Sequence, residues 1–386
     1  MTETSKAVQG RGKQRYLLAQ AAEKGANSYG IIRVVAAFLV IWTHSYSVLG
    51  GEQADEPLRA LSGYSVGSHA VNIFFSLSGF MVAASWERSK GFIDFTLARM
   101  LRIIPALIFV NVLIVIVSGL FLTVSSKAFW TGENIGSFLV STIVLFKAGS
   151  TLEGVFAYNP WPGVINIPIW TIKYEIICYA SLALLMLAIK LSRLSVAKRR
   201  LTLFVLLALS ASVMMWQGDA AQFDNIGHLA RFFFAFYLGV GAWFERDRIR
   251  LGWTWLVAIW LVVSLAIAIR SATMIPLAML GTAYLAFWTG SFTAGSVQRA
   301  ADRTDLSYGM YISGFFIQQL LAAAYPGQSI ATNTISATII AALFAWISWT
   351  VVERPALKLR GRIWRWATRV RAASAIIRIL VDARRG

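Results

Sequence analysis

This chain has one cysteine, three histidines and few charges: only 14% of its 386 residues are Asp, Glu, Lys or Arg. The lone Cys178 rules out an internal disulfide and any cysteine-rich metal site. Its apolar neighbours make it a packing residue. No low-complexity tract, no convincing internal repeat and no second soluble domain breaks the pattern. The segment 1–28 carries Lys6, Arg11, Lys13, Arg15 and Lys24 but no apolar core of a cleavable signal, and it is expected to be cytosolic. Acidic residues are scarce as well: 18 against 36 Lys and Arg, a net charge of +18.

What is abundant is apolar sequence. Hydrophobic residues make up 57% of the chain, in blocks of about 17 to 22, the length that crosses a bilayer. The basic residues fall between the blocks. That placement argues against nucleic acid as a partner and for cytoplasmic loops that touch anionic lipid.

Spans are expected near 29–49, 69–86, a third ending near 124, then 167–191, 201–216, 227–243, 253–269, 274–289, 306–325 and 333–352. The apolar stretch 136–147 is short, which suits a re-entrant or interfacial segment. With it left uncrossed, about ten spans put nearly every basic cluster on one side, with both termini cytosolic. The expectation is an all-α integral membrane protein: a transmembrane domain over 29–355, followed by a basic tail over 356–386. Trp364, Trp366, Ile376, Ile377, Ile379 and Leu380 alternate there with arginines, which suits an amphipathic helix on the inner leaflet.

Ionisable groups within spans are costly and mark function by default. Arg33 and His44 share the first span, eleven positions apart, or about 16 Å and three turns, hence on one face. Glu175 lies about 12 Å into the span 167–191, and His44 about 9 Å from the outer end of its own. An imidazole oriented by a carboxylate at that depth is a general base; the alternative for Glu175 is pairing with Lys173 or Arg33. Arg99 and Arg102, before Pro105, have the planar forks that bind phosphate, or else anchor the inner face. Ser76 and Ser78 read either as close-packing residues or as hydroxyl nucleophiles. Phe156, Tyr158, Trp161 and Trp170 suit stacking on sugar rings or an interfacial belt. His69 and His228 sit near outer edges and read as structural; no metal site is expected.

Several motifs follow one another in order. They are Arg33-x10-His44, Phe74-Phe75-Ser76-Leu77-Ser78-Gly79-Phe80, Arg99-Met-Leu-Arg102-Ile-Ile-Pro105, Trp170-Thr171-Ile-Lys-Tyr-Glu175, Ser307-Tyr308-Gly-Met-Tyr311 and Val352-Glu353-Arg354-Pro355. Together they resemble the membrane-bound acyltransferase-3 family, which acylates bacterial surface polysaccharides and related glycans. The resemblance covers about 29–359. It implies a ten-span core in the bacterial inner membrane, an acyl-CoA donor, commonly acetyl-CoA, and a glycan or lipid-linked sugar hydroxyl as acceptor.

The resemblance also places catalytic weight on His44 and Arg33, with Arg99, Arg102, Glu175 and Trp170 as further functional positions. Many members carry a histidine shortly after the Ser-Tyr motif; here that stretch is Ile312-Ser313-Gly314-Phe315, so no second histidine is available there. Asn159-Pro-Trp-Pro162-Gly163 resembles the O-antigen and exopolysaccharide branch. The expected reaction is therefore O-acetyl transfer, with His44 as base and Arg99, Arg102 and Arg33 on the donor's phosphates. The competing readings are a proton-coupled carrier or flippase and an acyltransferase for a small secreted metabolite.

Overall fold

The computed structural model describes residues 17–365, apart from 24, 53, 55, 124–125, 132–133, 145, 148–150, 218–224 and 294. The basic residues before 17, Lys24 and the tail from 366 onward lie outside the described residues. The described chain is helical, with no strand beyond an isolated bridge between Leu17 and Arg250.

In chain order the helices are α1 (Leu18–Ala22), α2 (Tyr29–Gly50), α3 (Pro57–Ser62), α4 (Val66–Arg88), α5 (Phe92–Val117), α6 (Ser126–Thr131), α7 (Asn134–Leu139) and α8 (Ile172–Leu191). There follow α9 (Val196–Gln217), α10 (Asn225–Phe244), α11 (Trp253–Ala268), α12 (Met274–Gly290), α13 (Gly295–Arg303), α14 (Ser307–Ala324) and α15 (Ile330–Ser348). Each expected span coincides with one of the longer helices.

Among the described residues, seven helices are long and apolar enough to cross a bilayer, or eight if α12 and α13 form one bent span. Ten crossings require α11 and α14 as well. α11 has only 16 residues, and α14 is diluted by Ser307, Ser313, Gln318 and Gln319. α7 and the π turn after it, Val140–Val144, form an apolar helix too short for a core about 30 Å thick. The segment expected not to cross is therefore short in the structure too.

One end of the bundle gathers the basic connections. Leu18 N–H donates to the Ile249 carbonyl at 3.0 Å, Ser28 Oγ to the Phe292 carbonyl at 2.6 Å, and Gln298 Nε2 to the Gly25 carbonyl at 2.8 Å. Arg360 makes a two-pronged contact with Asp94 at 2.8 and 2.7 Å, and Arg200 does the same with Glu245 at 2.7 and 2.9 Å. Helix ends far apart in sequence thus meet at one level, as alternating crossings demand.

Two contacts fix the interior. The first is the crossing of α4 and α10, where backbones touch. A Cβ on Gly79 would run into the Phe236 carbonyl oxygen, and one on Gly239 into the Ser76 carbonyl oxygen. Glycine alone permits that approach, the use small residues have between membrane helices. The Phe75 and Phe232 rings stack beside it, with centroids 4.3 Å apart.

The second is a knot of charge at the basic end. Asp305, just before α14, accepts from Arg33 of α2 at 2.6 Å and from Arg102 of α5 at 2.5 Å. Arg102 also reaches Glu353 at 2.8 Å, in the π turn that extends α15. Ser307 Oγ donates to the other Asp305 oxygen at 2.6 Å. Burial resists ionisation of Asp305, but the Arg102 and Arg33 guanidiniums outweigh it and hold its carboxyl well below the usual carboxylate range.

At the opposite end, carboxamides do the tying. Gln318 Nε2 donates to the Ile41 carbonyl and to Ser45 Oγ, both at 2.7 Å. Ser45 Oγ also donates to Asn333 Oδ1 at 3.1 Å, which locks α2 to α14 and α15. Asn159 Nδ2 donates to Gln319 Oε1 at 2.7 Å, and Asn166 Nδ2 to the Ile312 carbonyl at 2.7 Å. Those two bonds seat the loop before α8 on α14.

Gly239→Ala is expected to cost more than about 4 kcal/mol, the range of severe overpacking, and to leave little monodisperse protein in detergent. Gly241→Ala, whose Cβ would meet open space, is expected to melt like the wild type. Equal melting of both variants would contradict the close crossing. Asp305→Asn is expected to lower stability by about 3 to 5 kcal/mol, because it leaves paired guanidiniums without their counter-charge. Since the folded state depresses this carboxyl's pKa, its contribution is complete above the ordinary aspartate range and lost as pH falls below it. Melting curves should therefore converge for wild type and Asp305→Asn in acid.

Candidate active site

A cavity of about 920 Å³ opens at the basic end and runs inward between α2, α4, α5, α8 and α14. Along α4 it is lined by Arg88, Ser85, Met81, Ser78, Phe74 and Val71, spaced three or four residues apart so that one helix face lines the wall. From Arg88 to Val71 that face extends about 25 Å. Opposite lie Arg33, Arg99, Arg102, Glu175, Tyr179, Asp305, Tyr308 and Tyr311.

The cavity therefore collects most of the residues that the sequence marks: Arg33, Arg99, Arg102, Glu175 and Ser78 share one space. Their states differ. Arg33 and Arg102 are committed to Asp305 and Glu353. Among the described residues Arg99 has no carboxylate partner: Nη2 donates to Ser85 Oγ at 3.3 Å, its Nε is buried without a partner, and its guanidinium lies 5.8 Å from the Tyr179 ring centre. Arg88 at the mouth also lacks a carboxylate partner among the described residues.

The polar heart of the cavity is a chain of hydroxyls. Tyr179 donates its phenolic hydrogen to Glu175 Oε1. Ser78 Oγ lies 3.0 Å from the same phenolic oxygen. Glu175 and Tyr179 are one turn apart on α8, the spacing at which helical neighbours meet.

That contact corrects one expectation. Glu175 does not orient His44; its nearer partner on the same helix takes the carboxylate. Nor does it pair with Lys173, whose ammonium goes to Asn225 Oδ1 at 3.1 Å, while Arg33 goes to Asp305.

His44 is half-buried and does not line the cavity. Its ring meets the Phe315 ring edge-on, with centroids 5.3 Å apart, and its nitrogens make no hydrogen bond among the described residues. Phe315 stands one turn beyond Tyr311 on α14. Tyr311 lines the deep end of the cavity, hydrogen-bonded to Thr171 Oγ1 at 2.8 Å, with its ring centre 5.4 Å from that of Phe74. On its far side Phe315 meets Trp161 of the loop before α8, centroids 5.6 Å apart. Arg33 and His44 do share a face of α2, since both point to α14 or the residues just before it.

The remaining expected positions separate. Ser76 is fully buried at the α4–α10 crossing, its hydroxyl without a partner, and does not line the cavity. Trp170 packs against His228 at 4.4 Å and Phe232 at 5.4 Å, away from the cavity. Phe156 is buried against Phe316, and Tyr158 is 96% exposed. His69 is held by Thr282 Oγ1 at 2.6 Å. Neither His69 nor His228 approaches His44.

Three residues escape the sequence reading. Asp305 lies in a connection, where a charge draws no notice, although two intramembrane arginines call for a carboxylate. Tyr179 is signalled only by its spacing from Glu175. Arg231 lies within α10, buried, bonded to Asn72 Oδ1 at 3.3 Å and over the Tyr64 ring at 5.5 Å; like Arg33, it is a charge inside a span.

Comparison with known proteins agrees with this geometry. Residues 27–353 match the family model described as an acyltransferase domain, of the acyltransferase-3 type. An O-acetyl transferase of Shigella phage Sf6 is 26% identical over 339 residues, covering 85% of this chain and 95% of that protein. Nodulation protein 10 of Rhizobium leguminosarum bv. viciae is 26% identical over 368 residues, covering 86% and 94%. No solved structure matches. The carrier reading finds no support in these comparisons. With its apolar helices, its polar cavity and a match across the whole bundle, the chain belongs to the acyltransferase-3 family and is a membrane-embedded O-acyltransferase.

Proposed function

We propose that this enzyme takes an acyl group, in the simplest case acetyl, from acyl-CoA on the cytosolic side. It passes that group to a sugar hydroxyl of a cell-surface polysaccharide, a lipopolysaccharide O-antigen or an exopolysaccharide. The observation that carries the reading is the cavity at the basic end. By the excess of basic residues in the connections there, that end faces the cytosol of a bacterial inner membrane, which puts both termini on the same side. The phage relative, an O-acetyl transferase, supports acetyl as the group.

The donor's charge decides which residues meet it. Phosphates need cations that are not already neutralised. Arg33 and Arg102 are bound to carboxylates, so they shape the wall, and Arg88 and Arg99 are left to bind donor oxygens. The pantetheine arm then points along the α4 face and brings the thioester toward Ser78, Tyr179 and Glu175.

The acceptor comes from the opposite end. His44 stands there, its ring nitrogens bound by no described residue, behind Phe315 and beneath Trp161 of the seated loop. Such an imidazole is available to take a hydroxyl proton. Trp161, not Trp170, is the loop aromatic placed to meet a sugar on that path.

His44→Ala is expected to abolish transfer to glycan while the protein still inserts and melts normally; full activity would remove His44 from the reaction. Arg99→Ala is expected to raise the KM for acetyl-CoA on the order of tenfold, the loss of one charge-assisted hydrogen bond. An unchanged KM would take Arg99 off the donor. Proton NMR of surface polysaccharide from a strain with and without the gene tests the acceptor class. Loss of acetyl signals is expected, and unchanged acetylation would overturn the polysaccharide reading.

A further inference from the structure

The donor cavity and His44 are not one site. Tyr311, Thr171 and Phe74 line the cavity's deep end, and His44 stands a helical turn further on, against Phe315. A thioester carried in from the basic end meets hydroxyls before it meets an imidazole.

The direction of the hydrogen bonds tells which hydroxyl is ready to react. Tyr179 has a single phenolic hydrogen, and it goes to Glu175. The contact of 3.0 Å between Ser78 and Tyr179 is then one in which Ser78 donates and the phenolic oxygen accepts. Ser78 Oγ keeps its lone pairs free, and Ser78 lines the cavity. A serine donating into a hydroxyl that is itself bound to a carboxylate has the form of an activated nucleophile: nucleophile, proton carrier, terminal base.

The scaffold holds this chain rigid. Gly79, next to Ser78, is locked at the α4–α10 crossing, and Glu175 and Tyr179 sit one turn apart on α8. Ser76, two residues away, supplies the contrast. It is fully buried, with an orphaned hydroxyl and no access to the cavity.

We propose that Ser78 takes the acyl group from the thioester as a transient ester, through the chain Ser78–Tyr179–Glu175. This rests on the donor reading given above. As Ser78 Oγ bonds to the thioester carbon, its proton passes to the Tyr179 oxygen and the Tyr179 proton passes to the Glu175 carboxylate. The carbon–sulfur bond breaks, and the leaving thiolate recovers that proton from Glu175 through Tyr179, as free CoA thiol. In the second half the acceptor hydroxyl gives its proton to His44 as its oxygen bonds to the ester carbon. The bond to Ser78 Oγ then breaks, and the same proton returns from His44 to the Ser78 oxygen. Two half-reactions at one serine allow donor and acceptor to arrive from opposite ends at different times.

The test uses the full-length protein in detergent, incubated with acetyl-CoA labelled in the acetyl group and without acceptor. The result expected is release of one CoA per enzyme and an acetyl ester on the peptide containing Ser78, identified by mass spectrometry. Ser78→Ala should lose the label and turnover while still binding acetyl-CoA. Ser78→Cys should regain the label as a hydroxylamine-sensitive thioester, which shows that the fold survives at that position. Tyr179→Phe and Glu175→Gln should slow labelling with an unchanged KM for acetyl-CoA.

A wild type that transfers acetyl to glycan but never carries label on Ser78, or a Ser78→Ala variant with full turnover, would overturn the acyl-serine and leave the transferase standing. A wild type that consumes no acyl-CoA even with acceptor present would instead overturn the donor reading beneath it.

Discussion

A single carboxylate held between two guanidiniums organises the basic end of this enzyme. Arg33 and Arg102 come from different helices, and neither can lie in a wall bordered by apolar side chains without a counter-charge. Asp305 provides it to both, and Glu353 supplies the second negative charge to Arg102. Two cations and two anions make the knot neutral. It draws α2, α5, α14 and α15 around one space, in which Arg88 and Arg99 are cations outside the knot. Motifs scattered over most of the chain meet there for one electrostatic reason.

From that wall the rest of the site follows by depth. Free cations lie near the mouth. A carboxylate, a phenol and a serine hydroxyl lie mid-bundle, and an imidazole that no described residue hydrogen-bonds lies beyond the deep end. The glycine crossing of α4 and α10 keeps the middle layer fixed, because backbones in contact leave α4 no room to rotate. The carboxamide bonds among α2, α14 and α15 do the same for the turn that carries His44. In the proposed reaction two substrates approach from opposite faces, and this layering provides a place for each.

The sequence made the helices legible, because a bilayer forces apolar blocks of fixed length and collects basic residues on one side. It also marked Arg33, Arg99, Arg102, Glu175 and Ser78, which the fold gathers in one cavity. It did not show who bonds to whom. Equal depth on two antiparallel helices says nothing of the direction each side chain takes around its axis. That is why the expected bond from Glu175 to His44 gives way to a tyrosine one turn along. Asp305 stayed hidden in a connection. Arg231 passed unremarked inside a span, where its partners turn out to be Asn72, the Ser68 carbonyl and aromatic rings, none of them charged.

The most direct measurement is a cryo-electron microscopy structure of the full-length protein with a non-transferable acetyl-CoA analogue. The account predicts phosphates at the basic mouth beside Arg88 and Arg99, with the acyl carbon beside Ser78 and Tyr179. Density for the analogue at the opposite end, or an acyl carbon nowhere near the α4 face, would contradict it.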